Sequence, residues 1–204
     1  MGKDGKIKAI IWDNVGVLGF TKGGSFVKLW AERLEVPFED VIRVLTSYEC
    51  KQHDLGHISK DDFFDYVIRD IGLPASKKTA LEVSIDDFYT DMDLFEYLKR
   101  LKGKYKLALL SVMPRNVQEI IREHFPEFEA VFDQVVISCD VHMVKPDPEI
   151  YQFTLNQIGC LADEVVFIDD TKENIEAAEK LGIRSILFKN REQAIDELET
   201  ILAE

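Results

Sequence analysis

Residues 7–18 read IKAIIWDNVGVL, and this stretch decides the fold. Ile7 to Trp12 are mostly apolar, β-branched or aromatic, the composition of a strand buried on both faces. Polarity returns at Asp13-Asn14, and Gly16 in Val15-Gly16-Val17 is free to turn where other residues resist. An acid placed where a buried strand runs out lies at the carboxyl edge of a parallel sheet, where open α/β sheets bind ligands. A carboxylate there can serve as nucleophile, metal ligand or both. The plainer alternative is the cap of a helix or turn.

Working outward, the C-terminal half alternates strand and helix. Strands are expected over 106–110 (KLALL, ending at Ser111), 135–137, 165–168 (ending at Asp169-Asp170) and 185–188. Helices are expected over 117–124, 148–158, 174–181 and 192–203, with Asp147 as N-cap and Pro148 at the first helical position of the second. Alternation of this kind predicts an α/β fold: a doubly wound, parallel, Rossmann-like sheet. Between the first strand and the rest, residues 19–102 read as helices over 25–35, 38–46, 63–71, 76–88 and 93–101, with no clear strand. Ser59 and Asp62 resemble a capping box before the third of these. The expected organisation is a core of residues 1–18 and 103–204 and an α-helical cap of 19–102 inserted into it.

With 204 residues, 46% of them hydrophobic, the chain can build a full core. Its net charge of −13 argues against nucleic acid and anionic membrane surfaces as partners, and requires a local cation for any phosphate site. Cys50, Cys139 and Cys160 are odd in number and far apart, so reduced, buried thiols are expected rather than disulfides or zinc. No apolar run reaches the length of a membrane span, no signal peptide is visible, and Lys6 breaks the N-terminal myristoylation pattern. A cytoplasmic location is the expectation.

Four polar stations follow the strands: Asp13, Ser111, Lys145 in HMVKPD, and Asp169-Asp170. In a parallel sheet these lie on one edge and can converge. Two acids, a lysine and a hydroxyl suit metal-assisted phosphoryl transfer, with Mg²⁺ on the carboxylates, Lys145 and Ser111 on the phosphoryl oxygens, and Asp13 attacking phosphorus.

At these residues the chain resembles the haloacid dehalogenase-like hydrolase superfamily, in particular members with a small helical cap. IIWDNVGVL, LALLS, VKPDPEIY and VVFIDDTKENIEAAEKLG match its four motifs in order, each after a strand. The resemblance implies Asp13 as nucleophile and metal ligand, the Val15 carbonyl as a further ligand, and Asp170 as the acidic ligand of the fourth motif. It implies Asp169 beside the metal or sharing it, and Asn174 reaching it through water. Ser111 and Lys145 match the phosphate-binding pair, and Asn14 is expected to join them. Substrate specificity would lie in the cap.

One position departs from the pattern. Phosphatases of this family mostly carry a second Asp two residues after the nucleophile, to protonate the leaving group and then activate water. Here that position is Val15. The favoured function is a Mg²⁺-dependent phosphatase of a small phosphorylated metabolite, sugar phosphates included, with a preference for good leaving groups. The alternatives are a catalytically weak or inactive protein with a binding or regulatory role, then a metal-independent 2-haloacid dehalogenase. In the insertion, Tyr48, Glu49, Lys51, Asp54 and the His53/His57 pair are candidates for substrate contact. The histidines are expected to be solvated or locally hydrogen-bonded. His142 is a further candidate near Lys145, and His124 is expected to favour the dipole at a helix C-terminus.

Overall fold

The computed structural model describes residues 6–204, so the N-terminal residues 1–5 that bear on the myristoylation reading lie outside the described residues. The strands are β1 (Ala9–Trp12), β2 (Gly19–Thr21), β3 (Phe88–Thr90), β4 (Lys106–Ser111), β5 (Gln134–Ile137), β6 (Val165–Asp169) and β7 (Arg184–Leu187). The helices are α1 (Phe26–Leu34), α2 (Phe38–Leu45), α3 (Tyr48–Asp54), α4 (Lys60–Ile71), α5 (Met92–Leu101), α6 (Arg115–His124), α7 (Pro126–Ala130), α8 (Ser138–Val141), α9 (Pro148–Ile158), α10 (Lys172–Lys180) and α11 (Arg191–Leu202).

Five strands form one parallel sheet in the order β5-β4-β1-β6-β7, with helices on both faces: the Rossmann-like α/β fold expected from the alternation. All four residues of β1 are buried, because β1 is central and covered on both sides. Side chains along it alternate between two cores. Ile10 and Trp12 join Leu107, Leu109, Val166 and Ile168 on one face, under α5, α6, α7 and α11. Ala9 and Ile11 join Ala108, Leu110, Val165 and Phe167 on the other, under α9 and α10. The period of two in an all-apolar strand thus feeds two layers at once.

A third apolar cluster, Trp30, Leu34, Val41, Val44, Phe63, Phe64, Val67 and Leu81 among its members, belongs to α1–α4 and the turn after them. α5 behaves differently. Its Leu94, Phe95, Leu98 and Leu101 are buried under the main sheet, although the division at residue 102 assigns it to the insertion.

The expected helix over 76–88 is not formed. Residues Ala75–Leu81 and Ile85–Asp87 make two short 3₁₀ turns, and Phe88–Thr90 is a strand. That strand pairs antiparallel with Gly19–Thr21, so the stretch read as free of strands holds a two-stranded ribbon. Asp87 is drawn away from a helix by its neighbours: its carboxylate accepts from Ser84 N at 2.8 Å and pairs with Arg33. The short helices α3, α7 and α8 were not expected as separate elements. Asp147 does occupy the N-cap of α9, but its side chain makes no capping bond and instead pairs with Lys51 at 2.9 Å. Ser59 caps α4 as expected, accepting from Asp62 N at 3.1 Å.

No helix among the described residues is long and apolar enough to cross a membrane. Leu198, fully buried where α11 meets the sheet, gauges how tightly the layers are joined. Truncation by Leu198→Ala should cost about 2–5 kcal/mol in a urea unfolding experiment. A loss well below that range would show that the layer repacks freely.

Candidate active site

The chain leaves β1 for β4 and β5 on one side, then for β6 and β7 on the other. The reversal opens a crevice at the carboxyl ends of β1, β4 and β6, the place where doubly wound sheets hold ligands. Asp13 stands one residue past β1, anchored by its N–H on Ile168 O at 2.9 Å. Ser111 ends β4 and Asp169 ends β6. Lys145 comes from the loop between α8 and α9.

These residues meet. The Lys145 ammonium lies 2.6 Å from an Asp13 oxygen and 2.6 Å from an Asp169 oxygen. All three are buried: Asp13 is 6% exposed, Lys145 9% and Asp169 0%. Asp169 is held further by Thr171 N at 2.8 Å and by Asn174 Nδ2, which donates to both its oxygens at 3.0 and 3.1 Å. Burial pushes the Asp13 carboxyl up, to about 7, against the pull of Lys145. Burial works against the Lys145 charge, but Asp13 and Asp169 hold its pKa above the usual lysine value.

The donor set fits a hard divalent cation. Asp13, Asp169 and Asp170 each offer an oxygen, all within 4.8 Å of one another, and Mg²⁺ takes such oxygen ligands. Lys145 is the one cation paired with the two buried acids among the described residues. Gly16 makes room for the third. Its φ is +92°, and a Cβ there would stand 2.1 Å from an Asp170 oxygen. Burial, then the neighbouring Asp169, pushes the Asp170 carboxyl up. Ser111 Oγ is buried and has no hydrogen-bond partner among the described residues, which leaves its hydroxyl free to donate.

A cleft of about 790 Å³ opens over this cluster, lined by Asp13, Val15, Lys145, Asp170 and Asn174 from the core and by Lys51 and Asp54 from α3. Ser111 and Asn14 do not line it. Asn14 is buried, and its side-chain oxygen faces Gly19. Its backbone N–H serves the Asp13 carboxylate, and its carbonyl accepts the N–H groups of Val17, Leu18 and Gly19. Val15 presents an exposed side chain to the cleft.

Asp54 is held at the cleft by the join between α3 and α8. Ser138 Oγ donates to Asp54 O at 2.7 Å, and His142 Nδ1 meets Leu55 O at 2.7 Å. Gly56, with φ +72°, lets the chains close: a Cβ there would lie 2.7 Å from Cys139 O. Burial pushes the Asp54 carboxyl up, to about 7.

The two histidines part company. His53 is buried and stacked on Phe63 at 4.6 Å, and burial lowers it to about 4, so the expectation of a solvated or locally bonded pair fails for it. His57 bonds Gln52 and stacks on His142, as a local surface pair would. His124 ends α6, its Nδ1 at 3.0 Å from Ile120 O. Tyr48 and Glu49 do not line the cleft. Gly16 and Thr171 are the contributors the sequence reading did not assign to the site; the positive φ at Gly16 is the signal that a turn glycine offers.

Residues 73–188 match the family model of the haloacid dehalogenase-like hydrolases, a segment that contains Ser111, Lys145, Asp169 and Asp170. The sesquiterpene phosphatase astK of Aspergillus oryzae is 31% identical over 180 residues, 86% of this chain and 87% of that protein. The chain belongs to the haloacid dehalogenase-like hydrolases. The bifunctional epoxide hydrolase 2 of Rattus norvegicus is 36% identical over 84 residues, 41% of this chain but 15% of that longer protein. Among solved structures, a haloacid dehalogenase-family enzyme of Bacteroides thetaiotaomicron, in complex with magnesium and inorganic phosphate, shares the fold at a TM-score of 0.74. It is 24% identical, and the match covers 90% of this chain and 94% of that one.

In this hydrolase Gly16 shapes the space beside Asp170, so Gly16→Ala should displace that carboxylate and weaken Mg²⁺ binding about 10–100-fold in calorimetric titration. Unchanged affinity in a folded variant would remove Asp170 from the candidate metal site.

Proposed function

We propose that this hydrolase is a Mg²⁺-dependent phosphatase of a small phosphorylated metabolite, acting through an aspartyl phosphate on Asp13. The observation that carries the reading is the buried Asp13–Lys145–Asp169 cluster, with Asp170 beside it and the unpartnered Ser111 hydroxyl at the next strand end. The dehalogenase reading has no use for this acidic set. A purely binding role leaves the exposure of Asp13 to the cleft without purpose.

When bound, Mg²⁺ neutralises charge on the phosphoryl oxygens. Lys145 pulls Asp13 toward its carboxylate form against burial and offers its ammonium to a phosphoryl oxygen, to which Ser111 Oγ donates a hydrogen bond. An Asp13 oxygen bonds to phosphorus as the bond from phosphorus to the leaving oxygen breaks. Water then attacks the aspartyl phosphate, releasing phosphate and restoring the carboxylate. Asn174 and the Thr171 N–H keep Asp169 fixed throughout. The helical insertion acts as a cap over the cleft.

Val15 cannot supply the proton for the leaving group, and Asp54 is the acid that stands in for it. It is the carboxylate that the insertion contributes to the cleft lining, and burial holds its proton to about pH 7. Asp54 gives that proton to the departing oxygen and takes one back from the attacking water. This relaxes the preference for good leaving groups that Val15 alone implies. Magnesium and phosphate in the related structure, and a phosphatase among the relatives, agree with the reaction class. The three cysteines are free, which suits the reducing cytoplasm.

The direct test is hydrolysis of an activated aryl phosphate by wild type and Asp13→Asn with and without Mg²⁺. Activity should need both the ion and the carboxylate, and equal activity in the two proteins would overturn the reading. In single turnovers, Asp54→Asn should slow phosphoryl transfer from an alkyl phosphate by about 10²–10⁴-fold, and from an aryl phosphate far less. A raised pKa means that Asp54 holds its proton below about 7, so turnover of the alkyl ester should decline as pH rises through that value. A pH profile identical in wild type and Asp54→Asn would remove Asp54 from the reaction.

A further inference from the structure

Behind the polar cleft lies a second cavity of about 270 Å³, between the insertion and the core. Trp30, Phe63, Phe64 and Leu81 line it from the insertion, Met113 and Val117 from the core. Val15, Leu45, Asp54 and Val112 line both cavities, so the chamber adjoins the cleft that holds Asp13. Val15 is the sill between them, and its exposed side chain continues the apolar wall out to the nucleophile.

The chamber carries no charge except at this rim. Among the described residues no Lys or Arg lines it, and Asp54 is its one acidic residue. Burial lowers His53 to about 4 and raises the Cys50 thiol to about 12, so both are neutral near pH 7. One buried donor on its walls, Trp30 Nε1, has no hydrogen-bond partner among the described residues, while the Asn116 side chain is engaged by His53. A single free donor can serve one oxygen function on a ligand, but not the ring of hydroxyls of a sugar. Apolar pockets of this kind bind by burying hydrocarbon, with a few polar groups to orient it.

We infer that the substrate is a phosphomonoester of a largely apolar alcohol, its hydrocarbon body in this chamber and its phosphoryl group at Asp13. This rests on the phosphatase reading of the cleft and departs from a sugar phosphate. The size sets a limit: the cavity is about twice the ~150 Å³ that accommodates benzene, room for roughly ten to twelve carbons. Valine at position 15 is part of the same adaptation, since an aspartate there would set a charge on the sill of an apolar chamber.

The test is calorimetric binding of non-hydrolysable alkylphosphonates of increasing length to the Mg²⁺-loaded protein, alongside aryl phosphate hydrolysis. Affinity should rise about three- to fourfold per methylene and level off near ten to twelve carbons. Val83→Phe, which fills the chamber from its half-buried wall, should cut the ratio of octyl- to ethylphosphonate affinity at least tenfold. Affinity independent of chain length, a ratio unmoved by Val83→Phe, or tighter binding of ribose 5-phosphate than of octylphosphonate would overturn the inference. Chain-length-dependent binding without aryl phosphate hydrolysis would instead retain the chamber and overturn the phosphatase.

Discussion

The structure turns on one buried ammonium. Lys145 stands between Asp13 and Asp169 at 2.6 Å from each, and none of the three is more than 9% exposed. Desolvating a charge costs several kcal/mol even after relaxation, so such a cluster persists only where geometry and hydrogen bonds offset the cost. Here Asn14 N on Asp13, and Thr171 N and Asn174 on Asp169, supply those bonds. The sheet supplies the geometry. β1 and β6 must pair in register for Asp13 and Asp169 to face one lysine, and a slip of one residue would turn an acid into an apolar layer. One positive charge against the carboxylates of Asp13, Asp169 and Asp170 leaves an acidic remainder, which makes a divalent cation the natural completion of the site.

In the proposed reading, chemistry and selection are built on different parts of the chain. The core holds the groups proposed for phosphoryl transfer on strand ends, where packing on both faces of the sheet keeps them rigid. α1–α4 surround a core of their own and present aromatic residues to the chamber. The two parts meet at α3 and α8, through Ser138, His142, Gly56 and the Lys51–Asp147 pair. That join places Asp54 where cleft and chamber meet. The ribbon of β2 and β3, and α5 packed under the sheet, carry the chain between the parts.

Most of the fold was legible in the sequence, because buried parallel strands leave continuous apolar runs, and three of them run into polar residues of the candidate site. IIWD, LLS and FIDD each read as strand followed by site. The stretch over 76–88 misled because its composition suits a helix, while Asp87 finds better partners in Ser84 N and Arg33, and three residues at Phe88–Thr90 complete a ribbon with a distant segment. Pairing across 67 positions, as between Thr21 and Phe88 at the nearer end, leaves no local signal. His53 could not be placed because its burial comes from packing on Phe63, and Asp147 looked like a cap because Lys51 is remote in sequence. The chamber was hidden for a related reason. Trp30, Phe63 and Phe64 fall at helical spacing and do pack as core, and only the three-dimensional arrangement reveals that one side of that core is hollow.

The central claim is that Asp13 carries the phosphoryl group during turnover. The measurement that tests it most directly is mass spectrometry of the protein quenched in acid during hydrolysis of an aryl phosphate, with the adduct mapped to a peptide. The account predicts a phosphoryl group on the peptide containing Asp13, absent without substrate and absent from Asp13→Asn. An active enzyme that carries no adduct, or carries it on another residue, would contradict it.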